Sequence, residues 1–178
     1  MSILIMLMLA AGFLLLAWSI AAAPGAGMPR AGENMPDFAL ADQNGALRSA
    51  AEFRGRWLVL YFYPRDDTPG CTEQAAKFRD AMQEFVALGA AVCGISVDDS
   101  ESHAVFARKY NLPYVLLADR NGAVARRFGS LLDLLVVRFA RRNTFLIDPQ
   151  GRVARVYRGV NPARNAGEVL DEIRRRRP

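Results

Sequence analysis

Cys71 is the residue of this chain whose type and surroundings are best suited to chemistry. It lies in the run Pro64-Arg65-Asp66-Asp67-Thr68-Pro69-Gly70-Cys71-Thr72-Glu73-Gln74. The run reads as the entry to a helix, with Thr68 at the N-cap, Pro69 at N1, Gly70 at N2 and Cys71 at N3. Backbone N–H groups in a first turn have no intrahelical carbonyl to bond, and together they favour an anion. The spacing therefore predicts a nucleophilic thiolate at Cys71. Gly70 lets a ligand come close to the backbone. The competing reading is a capped helix with a cysteine acting as a small apolar residue, but that role does not require the Thr-Pro-Gly entry.

The remaining residues narrow the chemistry. The chain has two cysteines and one histidine, too few for a disulfide scaffold, a four-ligand zinc site or a histidine-based metal cluster. No metal or other cofactor is implied. Cys93 lies in Ala91-Val92-Cys93-Gly94-Ile95, an apolar run in which cysteine is usually core packing. His103 follows Asp98-Asp99-Ser100-Glu101, which reads as a helix start, and is expected to be an ordinary surface or capping-region histidine. The net charge is +5 and lysine is confined to Lys77 and Lys109. The arginines are scattered except for Arg174 to Arg177, which read as a solvated helix end, so no nucleic-acid partner is expected.

The elements that must position Cys71 can be read from hydrophobic periodicity. Residues 38–41 and 46–48 flank Asn44-Gly45, a hairpin signal. Residues 57–63, WLVLYFY, form a continuous apolar run that fits a central strand buried on both faces. Residues 75–88 carry Ala75, Phe78, Met82, Phe85 and Val86 at helical spacing, stopped by Gly89. Further strands are expected at 91–97 and 115–117, and helices at 104–110 and 123–128. Residues 144–147 and 153–157 flank the turn Asp148-Pro149-Gln150-Gly151 and should pair as an antiparallel hairpin. A helix at 165–175 closes the chain. This order predicts an α/β fold with a mixed central sheet flanked by helices and preceded by an N-terminal β-hairpin, and it resembles the thioredoxin-like fold.

Pro64-x-x-x-Thr68-x-x-Cys71 resembles the peroxiredoxin active-site motif. YFYPRDDTPGCTEQA and RRNTFLIDPQG are similar to the bacterioferritin-comigratory, or Q-type, branch of that family. The resemblance runs from about Glu33 to the C-terminus. It implies a thiol-dependent peroxidase that reduces hydrogen peroxide and organic hydroperoxides, with Cys71 as the peroxidatic cysteine. It further implies that the Thr68 hydroxyl bonds the peroxide, that Pro64 shields the site from water, and that the active-site arginine is Arg142, with Arg141 as second choice. Arg142, Thr68 and the backbone N–H groups of Gly70 and Cys71 are suitable donors for the charge that develops when an O–O bond breaks. Some members of the branch carry a resolving cysteine five residues after the first. Here that position is Ala76, so one-Cys turnover is expected, with an external reductant such as a thioredoxin-like protein or a low-molecular-weight thiol. Two alternatives are a membrane-tethered thiol–disulfide oxidoreductase, which needs Cys-x-x-Cys where this chain has Gln74, and a non-catalytic holdase on the same scaffold.

Residues 3–23 carry no charge, and as a helix they would span about 31 Å. They predict a signal peptide or membrane anchor over 1–23, a flexible linker over 24–32 and a catalytic domain over 33–178, with the domain placed outside the cytoplasm in a periplasmic setting. The stretch 130–140 is more apolar than a surface connection should be. It is expected to be a packed helix or loop, a homodimer face, or a surface in contact with a membrane.

Overall fold

A computed structural model describes residues 27–134 and 136–176. Nine strands and five α-helices are assigned among them. The strands are β1 (Ala39–Asp42), β2 (Leu47–Ser49), β3 (Trp57–Phe62), β4 (Ala90–Ser96), β5 (Val115–Ala118), β6 (Leu131–Leu134), β7 (Val137–Ala140), β8 (Thr144–Ile147) and β9 (Val153–Tyr157). The helices are α1 (Pro69–Asp80), α2 (Met82–Ala87), α3 (Ser100–Tyr110), α4 (Ala123–Arg127) and α5 (Asn165–Arg176). A seven-stranded sheet runs in the order β2-β1-β5-β4-β3-β8-β9. It is mixed, with β3 parallel to β4 and antiparallel to β8. The N-terminal hairpin does not stand apart: β1 pairs with β5 and extends the sheet. This is the thioredoxin-like α/β architecture expected from the element order.

The sheet divides the core in two. Alternate residues of β3 point to opposite faces. Val59 and Tyr61, with Tyr63 just beyond them, join Cys71, Phe78, Phe85 and Phe106 under α1, α2, α3 and α5. Leu58, Leu60 and Phe62 join Phe38, Cys93, Phe128 and Phe145 on the other side, under α4. Burying each such large side chain contributes roughly 1.5–3 kcal/mol, which is why an unbroken apolar run takes the middle of the sheet.

Three expectations change. The helix entered at Thr68-Pro69 starts there as expected, but the helical spacing over 75–88 is divided: Ala81 leaves helical angles (φ −89°, ψ 2°) and separates α1 from α2. Phe78 and Phe85 stay on one face, since seven residues are close to two helical turns, so periodicity carries no trace of the break. The stretch 130–140 is neither helix nor loop. β6 and β7 pair as a separate two-stranded hairpin. Its base packs inward through Leu131 and fully buried Ala140, and its described tip exposes Leu134, Val136 and Val137. Finally, the described part of the segment expected to be a linker is tied to the domain. Gly32 N–H donates to the Val153 carbonyl (2.8 Å), Val153 N–H donates to that of Glu33 (2.8 Å), and Met28 packs against the second core. Residues 1–23, read as a signal or anchor, lie outside the described residues.

Gly94 in β4 marks the tightest approach in the sheet. A Cβ there would lie 2.7 Å from the Tyr61 ring and 2.8 Å from Leu116, contacts that an ordered core cannot accept without shifting. Gly94→Ala is expected to destabilise the protein by about 1–3 kcal/mol through overpacking, read as a lower urea midpoint at an unchanged slope.

Candidate active site

The loop after β3 and the first turn of α1 build the site. Thr68 occupies the N-cap with extended backbone (φ −87°, ψ 149°), and Pro69 follows at N1. The first helical bond runs from Thr72 N–H to the Thr68 carbonyl (2.9 Å). Gly70 and Cys71 N–H therefore have no helical carbonyl to bond. Thr68 does not cap them with its side chain; its hydroxyl donates back to the Arg65 carbonyl (3.1 Å). Cys71 is almost fully buried, 1% exposed, so its sulfur meets protein groups rather than bulk water. Pro64 is half-buried where the loop leaves β3.

Arg142 arrives from the far end of the chain. β3 and β8 run antiparallel with Tyr61 opposite Thr144, and Phe62 N–H donates to the Asn143 carbonyl (2.8 Å). Residues just before β8 therefore lie beside residues just after β3. The Arg142 guanidinium reaches Cys71: Nη2 lies 3.4 Å from Sγ, and Nη1 donates to the Gln74 side chain (2.8 Å) and to the Gly70 carbonyl (3.3 Å). A Cβ on Gly70 would sit 3.2 Å from Nη2, so the absence of a side chain there leaves room for the guanidinium. Arg141, the second choice, is exposed; its N–H is tied to the Ser130 carbonyl (2.6 Å).

A buried amide relay fixes the guanidinium. Gln74 accepts from Arg142, so its amide nitrogen faces the other way and donates to Asn165 Oδ1 (3.0 Å). Thr144 Oγ1 donates to the same oxygen (2.8 Å). Gln74, Thr144 and Asn165 are each fully buried. Sequence reasoning missed all three. Gln74 was reachable, because positions i and i+3 share a helix face with Cys71. Asn165, 91 residues from Gln74, carried no local signal.

The other sulfur is kept away. Cys93 is fully buried on the opposite side of the sheet from Cys71, and burial pushes its thiol well above the usual thiol range.

His103 is neither a surface residue nor a cap, contrary to the sequence expectation. α3 begins at Ser100, with Asp99 as N-cap accepting from Ser102 N–H (2.9 Å). That start puts His103 on the buried stripe with Phe106 and Ala107. Its ring meets Asp66 of the Cys71 loop at 2.8 Å.

Comparison with known proteins agrees with this geometry. The AhpC/TSA family model matches residues 31–156. The chain belongs to the AhpC/TSA family. A chloroplastic peroxiredoxin Q of Triticum aestivum is 43% identical over 139 residues, which is 78% of this chain and 64% of that protein, so the chain matches less than two thirds of the relative's length. Among solved structures, peroxidoxin BcpB from Mycobacterium tuberculosis is similar with a TM-score of 0.80 at 35% identity, covering 84% of this chain and 99% of that one. The bacterioferritin comigratory protein of Xanthomonas campestris, described for its alkyl peroxide reduction activity, is similar with a TM-score of 0.76 at 32% identity, covering 82% and 98%. The expected extracytoplasmic, periplasmic location is overturned by the curated relative, which is chloroplastic. Among the described residues, which do not include 1–23, no helix is long and apolar enough to cross a membrane.

Gln74→Ala removes the acceptor that holds Nη1 of Arg142 and leaves Asn165 Oδ1 with Thr144 alone of its two donors. Reaction of Cys71 with hydrogen peroxide is expected to slow roughly tenfold, as small misplacements of positioned groups do, with the fold retained. Stopped-flow oxidation of the variant against the parent protein measures this; equal rates would remove the relay from the site.

Proposed function

We propose that this chain is a thiol-dependent peroxidase that reduces hydrogen peroxide and organic hydroperoxides at Cys71. The observation that carries the reading is the convergence of Arg142 Nη2 on Cys71 Sγ at 3.4 Å, above a helix turn whose first N–H groups are uncommitted. The guanidinium supplies a charge-assisted donor against an anionic sulfur. Alkyl peroxide reduction by the X. campestris relative supports organic hydroperoxides as substrates alongside hydrogen peroxide.

The site chemistry follows from donors and acceptors. Thr68 Oγ1 already donates to Arg65, so its lone pairs accept the O–H of the bound peroxide. Arg142 and the N–H groups of Gly70 and Cys71 donate to the peroxide oxygens and hold the O–O bond in line with sulfur. The thiolate lone pair attacks the terminal oxygen. The S–O bond forms as the O–O bond breaks, and the leaving alkoxide or hydroxide takes a proton to become an alcohol or water. Sulfur is oxidised by two electrons to the sulfenic acid, and the peroxide is reduced by the same two. Pro64, half-buried at the mouth of the loop, keeps water from the sulfur.

Reduction of the sulfenic acid is assigned to an external thiol, from a thioredoxin-like protein or a small molecule. That thiol forms a mixed disulfide with Cys71 and releases water; a second thiol then restores Cys71. The one-Cys reading is supported by Ala76 at the family's alternative resolving position and by the sheet that stands between Cys71 and Cys93.

Cys71→Ser should abolish peroxide consumption with the fold intact, because a serine hydroxyl stays protonated and is a poor nucleophile; substantial residual turnover overturns the assignment. Arg142→Lys should lose at least about tenfold, since lysine lacks the planar fork that contacts Sγ, Gln74 and Gly70 together. Cys93→Ala should turn over with an external thiol at the parent rate. Peptide mapping of oxidised parent protein without reductant should reveal no Cys71–Cys93 disulfide; finding one converts the scheme to a two-Cys mechanism.

A further inference from the structure

The loop that carries Cys71 contains two consecutive carboxylates, Asp66 and Asp67, and α3 holds both. Asp67, at positive φ (56°), accepts from Lys109 Nζ (2.7 and 2.9 Å) and Tyr110 Oη (2.5 Å) near the end of that helix. This contact is exposed and carries little energy. Asp66 is different. It is largely buried and is approached by three side chains: Tyr63 Oη donates to Oδ1 (2.7 Å), Ser102 Oγ donates to Oδ2 (2.7 Å), and His103 Nδ1 lies 2.8 Å from Oδ2. The Asp66 N–H also donates to Asp98 (2.8 Å). Burial opposes ionisation of Asp66, but the bonds from His103, Ser102 and Tyr63 outweigh it and hold the carboxyl below its usual range.

The far side of the histidine ring completes the bookkeeping. His103 is fully buried, and its Nε2 lies 3.1 Å from the Leu117 carbonyl of β5. A carbonyl can only accept, and an ionised carboxylate can only accept. With Asp66 ionised, as the Tyr63 and Ser102 hydroxyls that donate to it favour, both ring nitrogens donate. The groups facing the ring are Asp66 from the loop, Tyr63 from the end of β3 (Oη to Nδ1 3.4 Å) and the Leu117 carbonyl from β5, while the Ser102 hydroxyl of α3 is turned to Asp66. None of them supplies Nδ1 with a donor that Asp66 does not already use.

We propose that His103 is a doubly protonated imidazolium clamped between Asp66 and the Leu117 carbonyl, and that this buried ion pair positions the Cys71 loop. The inference rests on the peroxidase reading of Cys71. Only Asp67 separates Asp66 from Thr68, the N-cap of α1, so the clamp fixes the point from which the first turn of α1 starts. Cys71 and its uncommitted N–H groups then meet Arg142, whose carbonyl accepts from Val160 N–H (3.0 Å) beyond the β8 side and whose guanidinium bonds Gly70 and Gln74 of α1. Losing one partner of a buried pair leaves an uncompensated charge, and whether the loop moves or Asp66 takes up a proton, the bond that ties the loop to α3 through His103 is lost. His103 is thus a positioning residue that never touches the peroxide.

The chain has one histidine, so the full-length ¹⁵N-labelled protein gives a single imidazole signal. Both ring nitrogens are expected to carry protons at the pH of the activity assay; a bare ring nitrogen overturns the clamp. In His103→Gln, the rate of Cys71 oxidation by hydrogen peroxide should fall roughly tenfold, while alkylation of Cys71 by iodoacetamide, which needs no aligned Arg142, stays level or rises. A parallel fall in both rates, or an unchanged peroxide rate in the folded variant, also overturns it. Ser102→Ala removes one donor to Asp66 from a half-buried position and should slow the peroxide reaction about threefold by loosening the same carboxylate; an unchanged rate counts against the clamp even where His103→Gln does not fold. Failure of the parent protein to react with peroxide overturns the proposed function instead, and the ring-nitrogen measurement, which needs no turnover, still decides the clamp.

Discussion

The antiparallel pairing of β3 with β8 is the constraint on which the site depends. A helix entry alone brings Cys71 to the end of a strand, but it cannot bring a guanidinium to the sulfur. Because β8 runs opposite to β3, its first residues lie beside the last residues of β3. Arg142, 71 residues further along the chain, then projects over the first turn of α1. The contact would fail with a parallel neighbour, whose start would lie at the other end of the sheet. Reaction chemistry and sheet topology are one problem here: the donor that faces the sulfur is available only in this register.

The same sheet gives the two cysteines different environments. Cys71 belongs to the core under α1 and α5, next to a cation and a buried amide relay. Cys93 sits in the opposite core among Leu60, Phe62 and Ile95, where burial disfavours its thiolate. The proposed sulfur chemistry lies on the side that has both an open helix turn and Arg142.

Polar groups within the core organise both sides of the Cys71 loop. On one side, Gln74, Asn165 and Thr144 hold Arg142; on the other, His103, Ser102 and Tyr63 hold Asp66. Buried polar groups are costly unless their hydrogen bonds are made, so these sets restrict the loop and the guanidinium to few arrangements. Such restriction favours a reaction in which sulfur, both peroxide oxygens and the donors must lie in line.

Sequence alone determined what local rules can determine. The unbroken apolar run of 57–63 demanded a strand buried on both faces, Thr68-Pro69 demanded a helix start with Cys71 in its first turn, and the resemblance of Pro64-x-x-x-Thr68-x-x-Cys71 to the peroxiredoxin motif singled out the sulfur. The element order was enough for the mixed α/β fold. Arg142 was legible only through family resemblance, because no local pattern links it to Cys71. Tertiary structure decided the rest. The break at Ala81 left the apolar face unchanged and so left no mark in the periodicity. The hairpin of β6 and β7 was hidden because its base is packed while its tip is exposed, giving no clean alternation. His103 looked like a surface residue because it was read as lying just before a helix at 104–110; α3 starts at Ser100 and so includes His103, on the same buried face as Phe106 and Ala107. Gln74, Asn165 and Asp66 gained their roles from partners 91 and 37 residues away. Hydrogen bonds between distant residues depend on how the sheet is ordered and closed, and no window of sequence contains that information.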